Sequence, residues 1–469
     1  MSTGTGAGAD GEAVADVVPA RRLGRRRRKW VAAVVGTLVV VGGAGAIAGG
    51  ILSDMGLLPG DSMELAWQAP VDRSAAAYGN GDWLVGDTVV RSRYDAVTAF
   101  DAGSGQRRWE YAVPGRDEIC AVSKAADGSV ALLAHGERGK ADADDEAEQN
   151  GGCATVTALD LSNGRELWHT RRAPGSGELT AEVDLIATGG GLAVLRDVDD
   201  DWRYEPSEYR RVLRGDQALR AFDLRTGVPR WKAAVAEGCV PHRVAAATRQ
   251  VVAVLVCGRT ELRLAAFDPA DGKERWMVPL DRRSVDLGAD VTFVAADPPV
   301  VRVAAVQTGG LRAYLAFSPD GRPGGRVEFD GDAGKILQYE PARVTVDDGR
   351  LYAVTEVRCG KSGCDQVVAF DLAGGHELWR TVLHHQDEGL ALRAVGDRVT
   401  VLVDRGLKQS RKEGLYVFDA ATGEKKDRRS YSQDVDHDKP VADLIVHDDL
   451  VIAVQSGDGV RPFAAYRPW

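Results

Sequence analysis

Two short stretches gather the residue types that hold cations or move protons. His384-His385-Gln386-Asp387-Glu388 and Asp434-Val435-Asp436-His437-Asp438 each set imidazole beside carboxylate, a donor mix that suits a divalent ion or a cationic partner. His384, His385, Asp436 and His437 are therefore the candidate ligands. Their spacing matches no closed metal motif: Asp434-x-Asp436-x-Asp438 begins like a calcium loop but lacks its Gly and distal Glu. The competing reading is a hydrated surface cluster. No Ser-His-Asp order, Walker loop or Rossmann glycine pattern stands out, and no Cys-x-x-Cys-His is present to hold a haem. The expectation is a protein without catalytic residues and without a cofactor.

What would position such stretches is a phrase repeated along the chain. An apolar-Ala-apolar strand end is followed by Asp, by Gly four residues on, and usually by Trp at plus eight. Copies run Asp101…Gly105…Trp109, Asp160…Gly164…Trp168, Asp223…Gly227…Trp231, Asp268…Gly272…Trp276, Asp371…Gly375…Trp379 and Asp419…Gly423, the last without Trp. Each reads as a β-hairpin. The Asp accepts hydrogen bonds from backbone N–H groups of the turn, and the Gly supplies the positive φ that closes it. The five Trp sit on returning strands, where large rings fill the gap between neighbouring sheets rather than form an aromatic box. A degenerate copy, Ala316-Phe317-Ser318-Pro319-Asp320-Gly321, keeps the turn and loses the Asp and the Trp.

Periods of about 40 to 60 residues with strand composition indicate a propeller of four-stranded blades, A to D, with the phrase forming the C–D hairpin. The chain ends in Phe463-Ala464-Ala465-Tyr466-Arg467, a strand C with no strand D after it. Glu64-Leu65-Ala66-Trp67 mimics Glu166-Leu167-Trp168 at the other end. The predicted fold is an all-β, eight-bladed propeller over residues 64–469, closed when the N-terminal strand completes the last blade. Closure removes the exposed edges of an open array.

The phrases resemble the quinoprotein-like propeller repeats, the pyrroloquinoline-quinone-type family with its A-x-D-x-x-T-G-x-x-x-W pattern, across residues 64–469. The resemblance implies the fold. It also implies one possible activity, a quinone- and calcium-dependent dehydrogenase. Those enzymes place two adjacent cysteines over the cofactor, whereas no two of the six cysteines here are neighbours. The alternative the chain favours is a non-catalytic binding or scaffolding propeller. Its partner would be an envelope protein, a peptide docked on a blade edge, a glycan or another small ligand.

Composition divides the chain. Residues 1–29 form a basic tail with a net charge of +4, which leaves −14 for the rest. Residues 30–52 carry no charge and are long enough to cross a hydrocarbon core of about 30 Å. Basic residues before the span and acidic ones after it predict a cytoplasmic N-terminus and an extracellular propeller, joined by a linker at residues 53–63. Ala46-Ile47-Ala48 resembles a cleavage site and keeps a signal peptide open as the alternative. The acidic exported part would repel nucleic acid and anionic lipid.

Six cysteines in an exported domain should pair. The strand map places Cys120 at an A start, Cys153 at a C start, Cys239 at an A start, Cys257 at a B end, Cys359 at a B end and Cys364 at a C start. All of these fall on one face of the disc, which predicts the local bridges Cys120–Cys153, Cys239–Cys257 and Cys359–Cys364. Long B–C insertions at 139–152, 197–215 and 404–414 belong to that face and read as loops. It is where recognition is expected.

Overall fold

The computed structural model describes residues 62–71, 81–136, 154–171, 184–197, 200–205, 208–213, 217–258, 261–281, 289–305, 309–337, 340–359, 362–384, 387–405, 413–431, 440–457 and 459–467. The chain divides into two compact units, Met1–Leu58 and Pro59–Trp469, and every described residue lies in the second. The expected span at 30–52 therefore falls outside them. Among the described residues no helix is long and apolar enough to cross a membrane.

The second unit is an eight-bladed propeller. Blade 1 takes its strands A to D from Gly81–Val85, Thr88–Arg93, Ala96–Asp101 and Arg107–Ala112, each antiparallel to the next. Blades 2 to 7 follow in residues 118–171, 186–234, 239–279, 290–328, 344–382 and 387–430. Blade 8 combines Val441–His447, Leu450–Gln455 and Phe463–Arg467 with Glu64–Gln68 as its strand D. The closing rungs include Glu64 with Arg467 and Trp67 with Ala465. Strand A is innermost, since the A strands of neighbouring blades touch.

Strand composition explains the packing. Alternating β-branched and small residues bury both faces of each sheet's inner strands. Among the described residues the core falls into eight apolar clusters, one between each pair of neighbouring blades. In the cluster that joins blade 8 to blade 1, Trp67 and Phe463 meet Val89 and Phe100, with the two phenylalanine rings edge-on at 5.9 Å.

The repeated phrase is what links one wedge to the next. Asp101 accepts from the Ser104 N–H at 2.8 Å, and Asp223 and Asp419 accept from Thr226 and Thr422 at 3.0 Å. The turn this fixes is then clasped by the Trp of the preceding blade. The indole N–H donates to the carbonyl one residue past the Asp: Trp67 to Ala102 at 2.8 Å, Trp168 to Leu224 at 2.9 Å, Trp231 to Pro269 at 2.9 Å and Trp379 to Ala420 at 3.0 Å. The ring lies flat on the Gly. A Cβ would fall 2.5 Å from Trp67 at Gly105 and 2.6 Å from Trp168 at Gly227, and φ is near +70° at both. Two separate reasons therefore require glycine. The Trp109 ring clasps Gly164 in the same way, while its buried N–H has no acceptor among the described residues.

The two blades without the Trp have structural reasons. In blade 5 the Trp position is Arg326. There the Gly325 backbone N–H donates to the Leu372 carbonyl at 2.7 Å, the same acceptor position an indole would use. Gly375 packs directly on the Arg326 backbone. In blade 7 the position is Asp427, and the next blade takes its C and D strands from opposite ends of the chain, so it has no C–D turn to clasp.

One expectation is corrected. Within the 197–215 insertion, expected as a loop, Asp200–Glu205 and Glu208–Leu213 pair instead as a separate two-stranded ribbon between strands B and C of blade 3. Cross-strand pairing satisfies backbone groups that an extended insertion would leave to water. Blade 6 also carries a short extra ribbon, Asp330–Gly331 with Gly334–Lys335, attached to its strand B.

Candidate interaction face

Antiparallel order puts A starts, B ends, C starts and D ends on one face, here the loop face, and the tight A–B and C–D turns on the other, the turn face. Cys239 bonds Cys257 across rung ends of blade 4, and Cys359 bonds Cys364 in blade 6. Cys120 is disulfide-bonded as well; Cys153, its expected partner, lies outside the described residues.

Where blade 7 lacks such a bridge, it has a network of buried charge on the same face. Asp387 accepts from the Tyr416 hydroxyl at 2.6 Å and lies 3.7 Å from Arg405 and 3.6 Å from Arg428. Glu413, wholly buried, has its carboxyl pushed up to about 7 by burial, partly offset by a hydrogen bond from Tyr466. Beside it, between blades 6 and 7, the buried Arg343 reaches Asp365 at 3.2 Å and Glu388 at 2.8 Å. Burial raises the Asp365 carboxyl, and Arg343 opposes that rise. Arginine suits such sites because its planar fork serves several acceptors at once.

This geometry decides part of the His/carboxylate expectation. His384 is exposed, and its carbonyl accepts from the Asp387 N–H at 2.8 Å. The carboxylates next to it, Asp387 and Glu388, are engaged by guanidinium groups, so they do not present an open cation site. His385, Asp436 and His437 lie outside the described residues, as does the insertion at 139–152.

A ligand set that sequence reading missed stands on the opposite face. Asp87, in the A–B turn of blade 1, meets His447 and Asp448 of blade 8, with ligand atoms within 4.8 Å of one another. The His447 Nε2 lies 3.4 Å from Asp87 and 3.6 Å from Asp448. These residues have the donor types for a divalent ion. Nothing in their spacing, 360 positions apart in the chain, signals it.

The axis of the ring was equally hidden. Lys124 of blade 2 donates to the Phe293 carbonyl of blade 5 at 2.5 Å, and the Phe293 N–H donates to Asp184, just ahead of blade 3, at 2.8 Å. Blades that are not neighbours can touch only across the centre, so these bonds brace the ring along its axis. Burial raises the Asp184 carboxyl, with Lys124 opposing. Between blades 1 and 8, Asp82 hydrogen-bonds Asp443. Burial and that second carboxyl push Asp82 up, while Arg91 and Arg393 pull it down. Two carboxyls in contact share a proton rather than both ionise.

A family model described as outer membrane protein assembly factor BamB matches residues 40–200, 154–318 and 311–465. Among solved structures, BamB from Moraxella catarrhalis is similar at 17% identity, over 86% of this chain and 97% of that one, with a TM-score of 0.44. A quinohemoprotein alcohol dehydrogenase from Pseudomonas putida is similar at 12% identity, over 86% and 75%, with a TM-score of 0.48. A europium-containing methanol dehydrogenase gives 12%, 85% of each chain and 0.48. No curated protein matches the chain.

Proposed function

We propose, from the premise that this chain belongs to the family described as outer membrane protein assembly factor BamB, that it is a non-catalytic binding or scaffolding propeller of the cell envelope. Residues 30–52 anchor it in the membrane, the basic tail stays in the cytoplasm, and the propeller is displayed outside. Its loop face, stiffened by disulfides and by buried ion pairs, receives an envelope protein. Rigid elements that hold a surface in one shape reduce the ordering cost of binding.

The observation that carries the non-catalytic part is the bracing of the axis. A quinone held at the centre of the ring would have to displace the Lys124 and Asp184 bonds to Phe293, and the six cysteines offer no adjacent pair to cover it. Both features favour a propeller that works without that cofactor.

The test is photocrosslinking on intact cells. A crosslinker at Glu388, exposed on the loop face, should trap one envelope protein reproducibly. The same group at Asp271, exposed in a turn-face hairpin, should not. Equal capture from both positions would sink the face assignment. Dye-linked alcohol oxidation after incubation with pyrroloquinoline quinone and calcium would sink the non-catalytic reading and establish the dehydrogenase in its place.

A further inference from the structure

The A–B turns of blades 1 and 8 meet on the turn face, where the ring closes. Each is two residues long, Gly86-Asp87 between Val85 and Thr88 and Asp448-Asp449 between His447 and Leu450. Three side chains converge between them. The His447 Nε2 stands 3.4 Å from Asp87 and 3.6 Å from Asp448, and all three ligand atoms lie within 4.8 Å of one another. Two ligands of a tetrahedral ion, each about 2.0–2.1 Å from the metal, are about 3.4 Å apart. The two imidazole–carboxylate spacings are close to that value.

Other joints around the ring are built differently. There a carboxylate of one A–B turn meets a strong donor of its neighbour. Asp127 of blade 2 accepts from the Gly191 N–H of blade 3 at 2.6 Å. Arg249 of blade 4 donates two bonds to Asp297 of blade 5, at 2.6 and 2.7 Å. At the closing joint carboxylates stand on both sides, with one imidazole between them. Among the described residues no lysine or arginine pairs with Asp87 or Asp448. A neutral imidazole brings one N–H and no charge to two anions, whereas a divalent ion on its Nε2 neutralises both.

The backbone holds this set in place. The Asp87 carbonyl accepts from the Ala102 N–H at 2.9 Å, and the Ala102 carbonyl is itself the acceptor of the Trp67 clasp. Asp449 is taken by Arg467 at 2.8 Å, which leaves Asp448 of that turn to the seam. Asp87 and Asp448 are exposed, so an ion can enter from water and keep water as its remaining ligand. One imidazole nitrogen with two carboxylate oxygens suits zinc and its first-row neighbours, whereas calcium and magnesium take oxygen ligands.

We propose that Asp87, His447 and Asp448 bind a divalent transition ion of the zinc type, shared between blades 1 and 8 across the closing seam. The proposal is independent of the scaffolding reading, and either can fail without the other.

The full chain, stripped with a chelator and kept in a non-coordinating buffer, would be titrated calorimetrically with zinc, and separately with calcium and magnesium. Saturable zinc binding is expected, with a melting temperature that zinc raises and chelator lowers again. His447→Ala should weaken that binding by about tenfold or more, since loss of a group that only orients a ligand already costs about 10–100-fold. Asp448→Asn suits the left-handed backbone there, at φ +50°. It should weaken binding likewise, and it reads the same site should His447→Ala unfold. Replacing His384 and His385 together by alanine should leave the binding unchanged. The proposal is overturned by no saturable zinc binding or by tighter binding of calcium or magnesium. Binding untouched in Asp448→Asn and in a folded His447→Ala, or lost only in the His384 and His385 variant, overturns it as well.

Discussion

The two faces of the ring push carboxyl groups in opposite directions. On the turn face the Ser104 and Arg108 hydrogen bonds hold Asp101 at about 2, and Arg230 with Thr226 holds Asp223 at about 2. On the loop face and near the axis, burial raises Glu413, Asp365 and Asp184. The residue type is similar; the surroundings differ. Turn-face carboxylates stay near water and are met by N–H donors within their own hairpin, so the ionised form is favoured. Loop-face carboxyls are met by partners from other strands and blades, and desolvation outweighs them. One face is built from local chemistry repeated around the ring, the other from long-range chemistry used once.

The sharpest way to break that contrast is to remove a clasp. Trp67→Ala deletes the ring that covers Gly105 and the bond to Ala102, and should cost about 3–5 kcal/mol in urea unfolding. A loss under about 1 kcal/mol would mean that the turn face does not hold the ring together.

The loop face is probed by pH. Glu413 has a folded pKa above its unfolded value, so its neutral form stabilises the fold below 4.5 and that contribution is lost as pH rises through about 7. Wild-type stability should therefore fall across that window, on the order of 3 kcal/mol from this group. Glu413→Gln should flatten the profile. A variant profile parallel to wild type would remove Glu413 from the account.

Replacing Cys239 and Cys257 by serine opens an 18-residue separation and should cost about 3 kcal/mol or less, read by thermal melting. Smaller still, Gly227→Ala should cost about 1–2 kcal/mol from its backbone alone, plus whatever displacing Trp168 requires. Gly86→Ala, at φ +53° with open space around it, should show only the backbone part. Equal losses at the two glycines would show that ring contact adds nothing to the turn face.

The same division explains what could be read from residues alone. Blade count, strand order and closure were legible because Asp101, Gly105 and Trp109 report one turn within nine positions. Even the missing Trp of the Asp419 copy was visible, although its cause, a following blade without a C–D turn, was not. The Lys124–Phe293 bond spans 169 positions, and Arg91 meets Gln455 across 364. No local pattern encodes either. The ribbon of Asp200–Glu205 and Glu208–Leu213 did carry a signal, with Tyr204 opposite Tyr209, but its many charges read as a solvated loop. For the candidate site, the exposed His384 drew attention, while Asp387 beside it turned inward to Tyr416 and two arginines.

Trp67 belongs to blade 8 by its backbone and to blade 1 by its ring. Its side-chain acceptor lies 35 residues away, while its sheet partner is at the far end of the chain. During folding, then, the first strand can be parked early as a template on which Phe463–Arg467 later zips. Pulse-labelled exchange should find the Trp67 indole proton protected before those final rungs form; the reverse order would show that closure starts from the other end.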